Sequence, residues 1–420
     1  MSTTGVCEEA ATRRDCDADR VRRRHVIYVE GYDYRGAEGY FDLFRRSCDA
    51  FRRARPVGLT LHPLALDSDD FAHWALDLRV SRQKVAVQYD FLRMERFVRA
   101  DIAHSTAWHL WRSLRWIAGD LASGALFRIF RASWRFGLHL VSFQLLVLAW
   151  LAVAVTVALT AAWALRHAVG WTLPAAILWA VVAAWLCVLA LRPMADRLYG
   201  THIPACWATL RSFGRGRPTW VDHVVTVCAR HLVAVAHAGT TDELVLVGHS
   251  TGGAIGLAVI ARALEIDPDL CARGPEVVLL TLGSVMPAVA LDPFARRMRD
   301  DVRRAVAEPR LTWIDCQSRK DIMNFPNFDP VAGIGVKPRH CGLVVWPIRF
   351  RDMVSPERYG RFRWNFFKLH YQYVMAGDRP APYDYVLLIG GPRSVAAVAK
   401  HRGDVATAVD GNGAAAHREQ

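Results

Sequence analysis

Ser250 stands at the centre of Gly248-His249-Ser250-Thr251-Gly252, between an apolar run, Leu244–Val247, and a run of mostly small residues, Gly253–Ala263. The first run reads as a buried strand and the second as a helix. The serine therefore falls on a sharp strand-to-helix turn, the geometry of a nucleophile elbow. Such a turn holds the hydroxyl above a helix N-terminus, whose free N–H groups favour developing negative charge. Strand and helix approach closely only if the neighbouring residues are small, and Gly248, Gly252 and Gly253 meet that need. A phosphate-cradling loop would also be glycine-rich. The lysine and Ser/Thr that close a Walker loop are missing from Gly252-Gly253-Ala254. His249 is not expected to serve Ser250 as a base, because a chain neighbour points away from it.

A serine nucleophile needs a base, an acid that orients the base, and donors for the oxyanion. After an elbow of this kind the acid and then the base follow in the chain. Asp321 lies just beyond the apolar strand Leu311–Cys316, where the acid should stand; Asp329 and Asp315 are the alternatives. His370 is the first candidate for the base and His340 the second, since His401 and His417 fall in the tail. One oxyanion donor is expected to be the N–H of Thr251. The other should come from the loop after the first strand, His25–Glu30, through Gly31 and the Tyr32 N–H.

The elbow with Asp321 and His370 downstream resembles the α/β-hydrolase family, nearest in flavour to its lipase and esterase members. The resemblance covers about 25–105 and 215–390 and is sharpest at the elbow. It implies an α/β fold with a mostly parallel sheet flanked by helices. It also implies ester cleavage through an acyl-enzyme, with Ser250 as nucleophile, His370 as base and Asp321 as acid. Two departures stand out. Glu30-Gly31 occupies the place of a lipase-like His-Gly, and the large insertion precedes the elbow strand.

Further strands are expected at 57–61, 84–88 and 277–282, with helices at 38–54 and 220–238. Strands alternating with helices argue for a parallel sheet with helices on its faces. Arg296–Arg304 reads as a solvated basic helix face, 341–376 as an aromatic and arginine-rich segment, and Tyr385–Ile389 as a late apolar run.

The chain has 420 residues, 52% of them hydrophobic, a mean hydropathy of +0.11, 15 tryptophans and a formal net charge of +13. Such a charge suits nucleic acid or an anionic membrane surface, and its distribution favours the membrane. Residues 107–137 interleave Trp108, Trp111, Trp116 and Trp134 with arginines, like a helix lying along a bilayer. Two uncharged stretches follow, 138–165 and 169–191, each longer than the roughly 20 residues that span a bilayer core. They predict a helical hairpin with Trp116, Trp134 and Trp171 near headgroups. Arginines crowd its outer ends, placing both ends on the cytoplasmic side. The expected organisation is an arm over 1–24, a hydrolase-like part over 25–105, the insertion over 106–216, a second hydrolase-like part over 217–393, and a flexible tail over 394–420. No cleavable signal is visible in the first 24 residues. Nine scattered cysteines without C-x-x-C or zinc-like spacing suit a reducing compartment, and no metal or cofactor is expected. The expected partners are a small-molecule or lipid ester and anionic headgroups, not nucleic acid. A non-catalytic membrane scaffold that keeps the hydrolase fold and binds a partner through its basic surface is the alternative.

Overall fold

The computed structural model of the protein describes residues 20–337 and 342–400. His340, His401, His417, the start of the arm and the end of the tail lie outside the described residues. The strands are β1 (Arg23–Val29), β2 (Gly58–Leu61), β3 (Phe71–Val80), β4 (Gln83–Leu92), β5 (Glu243–His249), β6 (Glu276–Leu282), β7 (Thr312–Gln317) and β8 (Gly342–Pro347). They form one eight-stranded sheet in the order β2-β3-β4-β1-β5-β6-β7-β8. Pairing is parallel from β4 to β8 and antiparallel at β2/β3 and β3/β4. All seven residues of β5 are buried. That is why its sequence is a continuous apolar run: a strand covered on both faces has no solvent side.

The helices of eight or more residues are α1 (Gly36–Ala54), α2 (Glu95–Ile102), α3 (Thr106–Ser123), α4 (Ala125–Ala132), α5 (Trp134–His167), α6 (Leu173–Arg197), α7 (His202–Gly214), α8 (Trp220–His237), α9 (Thr251–Ile266) and α10 (Arg296–Ala307). One face of the sheet packs on α8, α9 and α10 through residues such as Leu232, Leu257 and Val302. The other packs on α1 and on the C-terminal segment through Phe44, Tyr373 and Ile389. The expected α/β architecture with a mostly parallel sheet and flanking helices is therefore present.

Four expectations need correction. The strand β3 was not anticipated, although its burial alternates along the chain, as a half-covered antiparallel strand should. Residues 192–217, to which no element was assigned from the sequence, carry helix: α6 runs on to Arg197 and α7 follows, with Trp207 and Leu210 in the core. Trp116 is 4% exposed and belongs to the core rather than to a headgroup layer, whereas Trp134 is 58% exposed. The boundaries at 24 and 394 are misplaced too, because Arg24 and Val395 sit in the same buried cluster. The Arg24 guanidinium donates to Glu243 and to the carbonyls of Ile389, Gly391 and Arg393. The Val395 N–H donates to Glu243 Oε1. A helix, Val395–Lys400, continues from there.

α5 and α6 are each long and apolar enough to cross a membrane, and only 17% of the most apolar window of either is buried. Leu145, Leu159, Trp163, Leu178, Trp179 and Leu186 are exposed along them. An apolar surface of that extent is not stable in water and calls for a cover. The inner end of the pair is not exposed: Phe136 and Leu140 are buried in the core cluster that also holds Trp207 and Leu210.

The Arg24 cluster generates a test. Arg24→Ala leaves the Glu243 carboxylate buried without its cation, which should cost about 3–5 kcal/mol. The expected result is a clearly lowered unfolding midpoint in detergent solution, with Arg24→Lys intermediate.

Candidate functional site

The turn between β5 and α9 places Ser250 at φ 60° and ψ −121°. A non-glycine residue held there is strained by about 1–3 kcal/mol, and the surroundings fix it. Its N–H donates to the Leu282 carbonyl, while its own carbonyl accepts from the N–H groups of Gly253 and Val285. Gly252 packs so closely on the end of β1 that a Cβ there would overlap the carbonyls of Val29 and Glu30. At Gly248 a Cβ would lie 2.8 Å from the Gly253 Cα. The glycines of the motif are thus where strand, helix and neighbouring strand meet.

The same approach brings the loop after β1 against the serine. A Cβ on Gly31 would stand 3.3 Å from Ser250 Cβ and 3.6 Å from its Oγ. Ser250, Thr251, Gly31, Tyr32 and His370 line one cavity of about 430 Å³. Thr251 is the first residue of α9, so its N–H belongs to the turn that lacks intrahelical acceptors. The Tyr32 loop is held from outside. Its hydroxyl donates to Asp101 Oδ2 at 2.7 Å, and its carbonyl accepts from His202 Nε2 at 2.8 Å.

His370 ends a short helix, Phe366–His370, and its ring rests against Gly283, one residue beyond β6. Its Nδ1 faces Asp321 Oδ2 at 2.7 Å. Asp321 lies beyond β7 and is 1% exposed. Its other oxygen accepts the Met323 N–H at 2.9 Å. Burial alone would raise the Asp321 carboxyl. The His370 charge and hydrogen bond, with the Met323 N–H and Asn324, outweigh it and hold the carboxyl below its ordinary range. His370 Nε2 is buried and has no hydrogen-bond partner among the described residues. With Nδ1–H given to Asp321, Nε2 is left as an acceptor. The structure thus joins His370 to Asp321 and puts His370 in the lining of the cavity that Ser250 also lines. Among the described residues it forms no Ser250–His370 hydrogen bond, a contact that is often loose before substrate arrives.

The alternative acids stand apart from the histidine. Asp315 is held inside the sheet by Thr281 Oγ1 and Gln317 Nε2, and burial pushes its carboxyl up to about 6. Asp329 Oδ1 accepts the N–H groups of Val331 and Ala332.

One site residue was not foreseen in its role. His249 does not serve Ser250, as expected. Its ring stacks on that of His370 with centroids 4.8 Å apart, and its Nε2 donates to the His370 carbonyl at 3.1 Å. Burial, and then the neighbouring His370, push it down to about 3. It is a neutral positioning residue for the candidate base. Glu30, in place of the lipase-like histidine, is buried with one carboxyl oxygen unpartnered. Burial, followed by Asp33 and Glu95, raises it well above the usual carboxylate range.

The geometry predicts that Gly252→Ala forces β1 away from the elbow. Overpacking of this kind costs about 1–3 kcal/mol or more, and here it also shifts Ser250 and the Tyr32 loop. The expected outcome is a lower denaturation midpoint together with lost reactivity of Ser250.

The chain matches no protein-family model, no curated protein and no solved structure.

Proposed function

We propose that the protein is a membrane-anchored serine hydrolase that cleaves an ester with an apolar acyl chain through an acyl-enzyme intermediate. The observation that carries this reading is the Asp321–His370 pair, with His370 Nε2 unpartnered beside the cavity that Ser250 also lines. In this mechanism Ser250 Oγ attacks the ester carbonyl carbon and passes its proton to His370 Nε2. The carbonyl oxygen becomes an oxyanion and takes the N–H groups of Thr251 and Tyr32, each worth about 3–4 kcal/mol in the transition state. His370 then protonates the departing alkoxide as the C–O bond breaks, leaving the acyl group on Ser250. Water, deprotonated by His370, attacks that ester and returns the serine. Asp321 keeps the Nδ1 proton in place and stabilises the imidazolium that forms twice in the cycle.

The anchor and the substrate class rest on two further features. α5 and α6 form an apolar hairpin with Arg135, Arg192 and Arg197 at its domain end and Arg166 by the connecting turn. That distribution favours a cytoplasmic hydrolase domain and cytoplasmic ends. Beside the Ser250 cavity lies a mainly apolar groove of about 430 Å³, lined by Trp134, Leu138 and Phe143 of α5 and by Ile322 and Phe366. Met323 and Phe367 line both. An acyl chain extending along α5 would reach Ser250 past those two side chains.

Four measurements test the reading. Solubilised protein should be labelled by a fluorophosphonate probe, and Ser250→Ala should abolish the labelling; persistent labelling of that variant removes Ser250 as nucleophile. Asp321→Asn should lower ester turnover by about 10⁴-fold, as expected when the base loses its orienting anion. A folded protein that neither labels nor hydrolyses short p-nitrophenyl esters would favour the scaffold reading. Leu138→Trp, which narrows the groove away from the Ser250 cavity, should lower kcat/KM for long-chain esters and leave short-chain esters unchanged. Membranes washed with high salt should retain the protein, and detergent should release it; release by salt alone would indicate peripheral binding through charge.

A further inference from the structure

Four side chains unused by the chemistry at Ser250 converge on one point of the sheet face covered by α8. β3, β4 and β1 are consecutive in the sheet. His73 pairs directly with Asp90 across β3 and β4, and Asp90 is level with Ile27 of β1, two residues beyond His25. His231 comes down from α8. Asp90 Oδ2 lies 2.6 Å from His25 Nε2 and 2.6 Å from His231 Nε2. Asp90 Oδ1 accepts from His73 Nδ1 at 2.8 Å and from Gln88 Nε2 at 3.4 Å. The atoms that His25, Asp90 and His231 offer lie within 4.8 Å of one another.

We propose that His25, Asp90 and His231 bind a divalent first-row cation of the Zn²⁺ kind. Two imidazole nitrogens and a carboxylate oxygen form a donor set suited to such an ion. Their three atoms come from three separate elements and share one centre. Two rings are aimed at the same carboxylate oxygen, so two imidazole nitrogens and Asp90 Oδ2 face one another. A cation replaces the two hydrogen bonds with coordination to both nitrogen lone pairs. Bond lengths of about 2.0–2.2 Å in a tetrahedral site set ligand atoms roughly 3.3–3.5 Å apart. The two contacts at Asp90 Oδ2 therefore open by about 0.8 Å on binding. The carboxylate is 2% exposed, whereas the side chains of His25 and His231 are 14% and 27% exposed. The fourth position consequently lies on the solvent side and takes water.

His73 completes the site from outside the coordination sphere. Its Nδ1–H orients Asp90 through Oδ1, and its Nε2 lies 3.6 Å from Asp67. Outer carboxylate and histidine partners of this type fix the orientation and basicity of a ligand. The site is not part of the hydrolytic centre. Asp90 is level with Ile27 and hence with Leu246, four residues or about 13 Å along the sheet from Ser250. Its role is a cross-link. His25 and Asp90 precede the apolar hairpin in the chain and His231 follows it, so the cation ties the two parts of the sheet domain to each other. This inference does not depend on the reading of Ser250.

The test uses the full-length chain in detergent, with any affinity tag removed, stripped with EDTA and titrated with ZnCl₂ or CoCl₂. Metal content should reach one equivalent per chain, Co²⁺ should show the visible absorption of a tetrahedral nitrogen and oxygen site, and the thermal midpoint should rise with Zn²⁺. His231→Gln should abolish binding and the midpoint shift. His73→Ala should weaken binding by about 10–100-fold. His25→Ala/His231→Ala should behave as His231→Gln. Absence of stoichiometric metal on the folded wild-type chain overturns the proposal, as does metal binding unchanged in His231→Gln, which would place the ion at another of the 16 histidines.

Discussion

The close approach of Gly252 to the last carbonyls of β1 is the contact on which the rest of the site depends. It sets the angle at which α9 leaves β5, and with it the backbone conformation of Ser250. It also fixes where the loop after β1 must lie. The sheet makes this junction special. From β1 the chain crosses to the sheet edge at β2, returns inward through β3 and β4, and then passes to the other side of β1 with β5. Loops after β1 and β5 therefore leave in opposite directions and open a crevice between them, the usual place for a ligand in an open α/β sheet. Ser250, Gly31 and Tyr32 line that crevice.

The hairpin is coupled to this junction through polar contacts rather than attached as a separate body. Asp101 of α2, which binds the Tyr32 hydroxyl, also accepts from Arg112 of α3 and Thr209 of α7. His202 of α7 holds the Tyr32 carbonyl. Deeper in, Arg211 of α7 donates to Asp120 of α3 and to Asp292 of the sheet domain. Gln144 of α5 also donates to Asp120. Burial raises the Asp120 carboxyl to about 6 despite Arg211. Removing one partner of such a network leaves another unsatisfied in a low-dielectric setting. Polar contacts thus run from α5 and α3 through α7 to the loop that lies against Ser250.

Much of this was legible in the sequence where local chemistry decides the structure. The elbow is local: an apolar run, glycines and a small-residue helix specify it together. Asp321 could be ranked because it follows a strand whose end was visible, and His370 because it comes late in the chain, as the order requires, and short of the tail. The uncharged lengths of α5 and α6 needed only counting. What escaped was non-local. β3 carries His73 and Asp77 among apolar residues, and its identity depends on pairing with β4. Trp116 has the composition of an interfacial residue and is buried by α7, which the basic stretch 192–217 concealed. The His25, Asp90 and His231 cluster joins residues up to 206 positions apart in the numbering, with no spacing to mark it.

The pair of stacked histidines shows how neighbouring groups of one type take different roles. The imidazolium that the proposed mechanism forms at His370 would be opposed by a second cation 4.8 Å away. His249 is the more enclosed ring, at 1% exposure, and its Nε2 donates to a backbone carbonyl rather than to a carboxylate. Burial therefore keeps it neutral. His370, by contrast, has Asp321 Oδ2 at hydrogen-bond distance from its Nδ1. The same hydrogen bond that keeps His249 occupied holds the backbone of His370, and with it the position of the ring. In the mechanism proposed above, His370 is therefore the ring that exchanges a proton and His249 the ring that holds it in place.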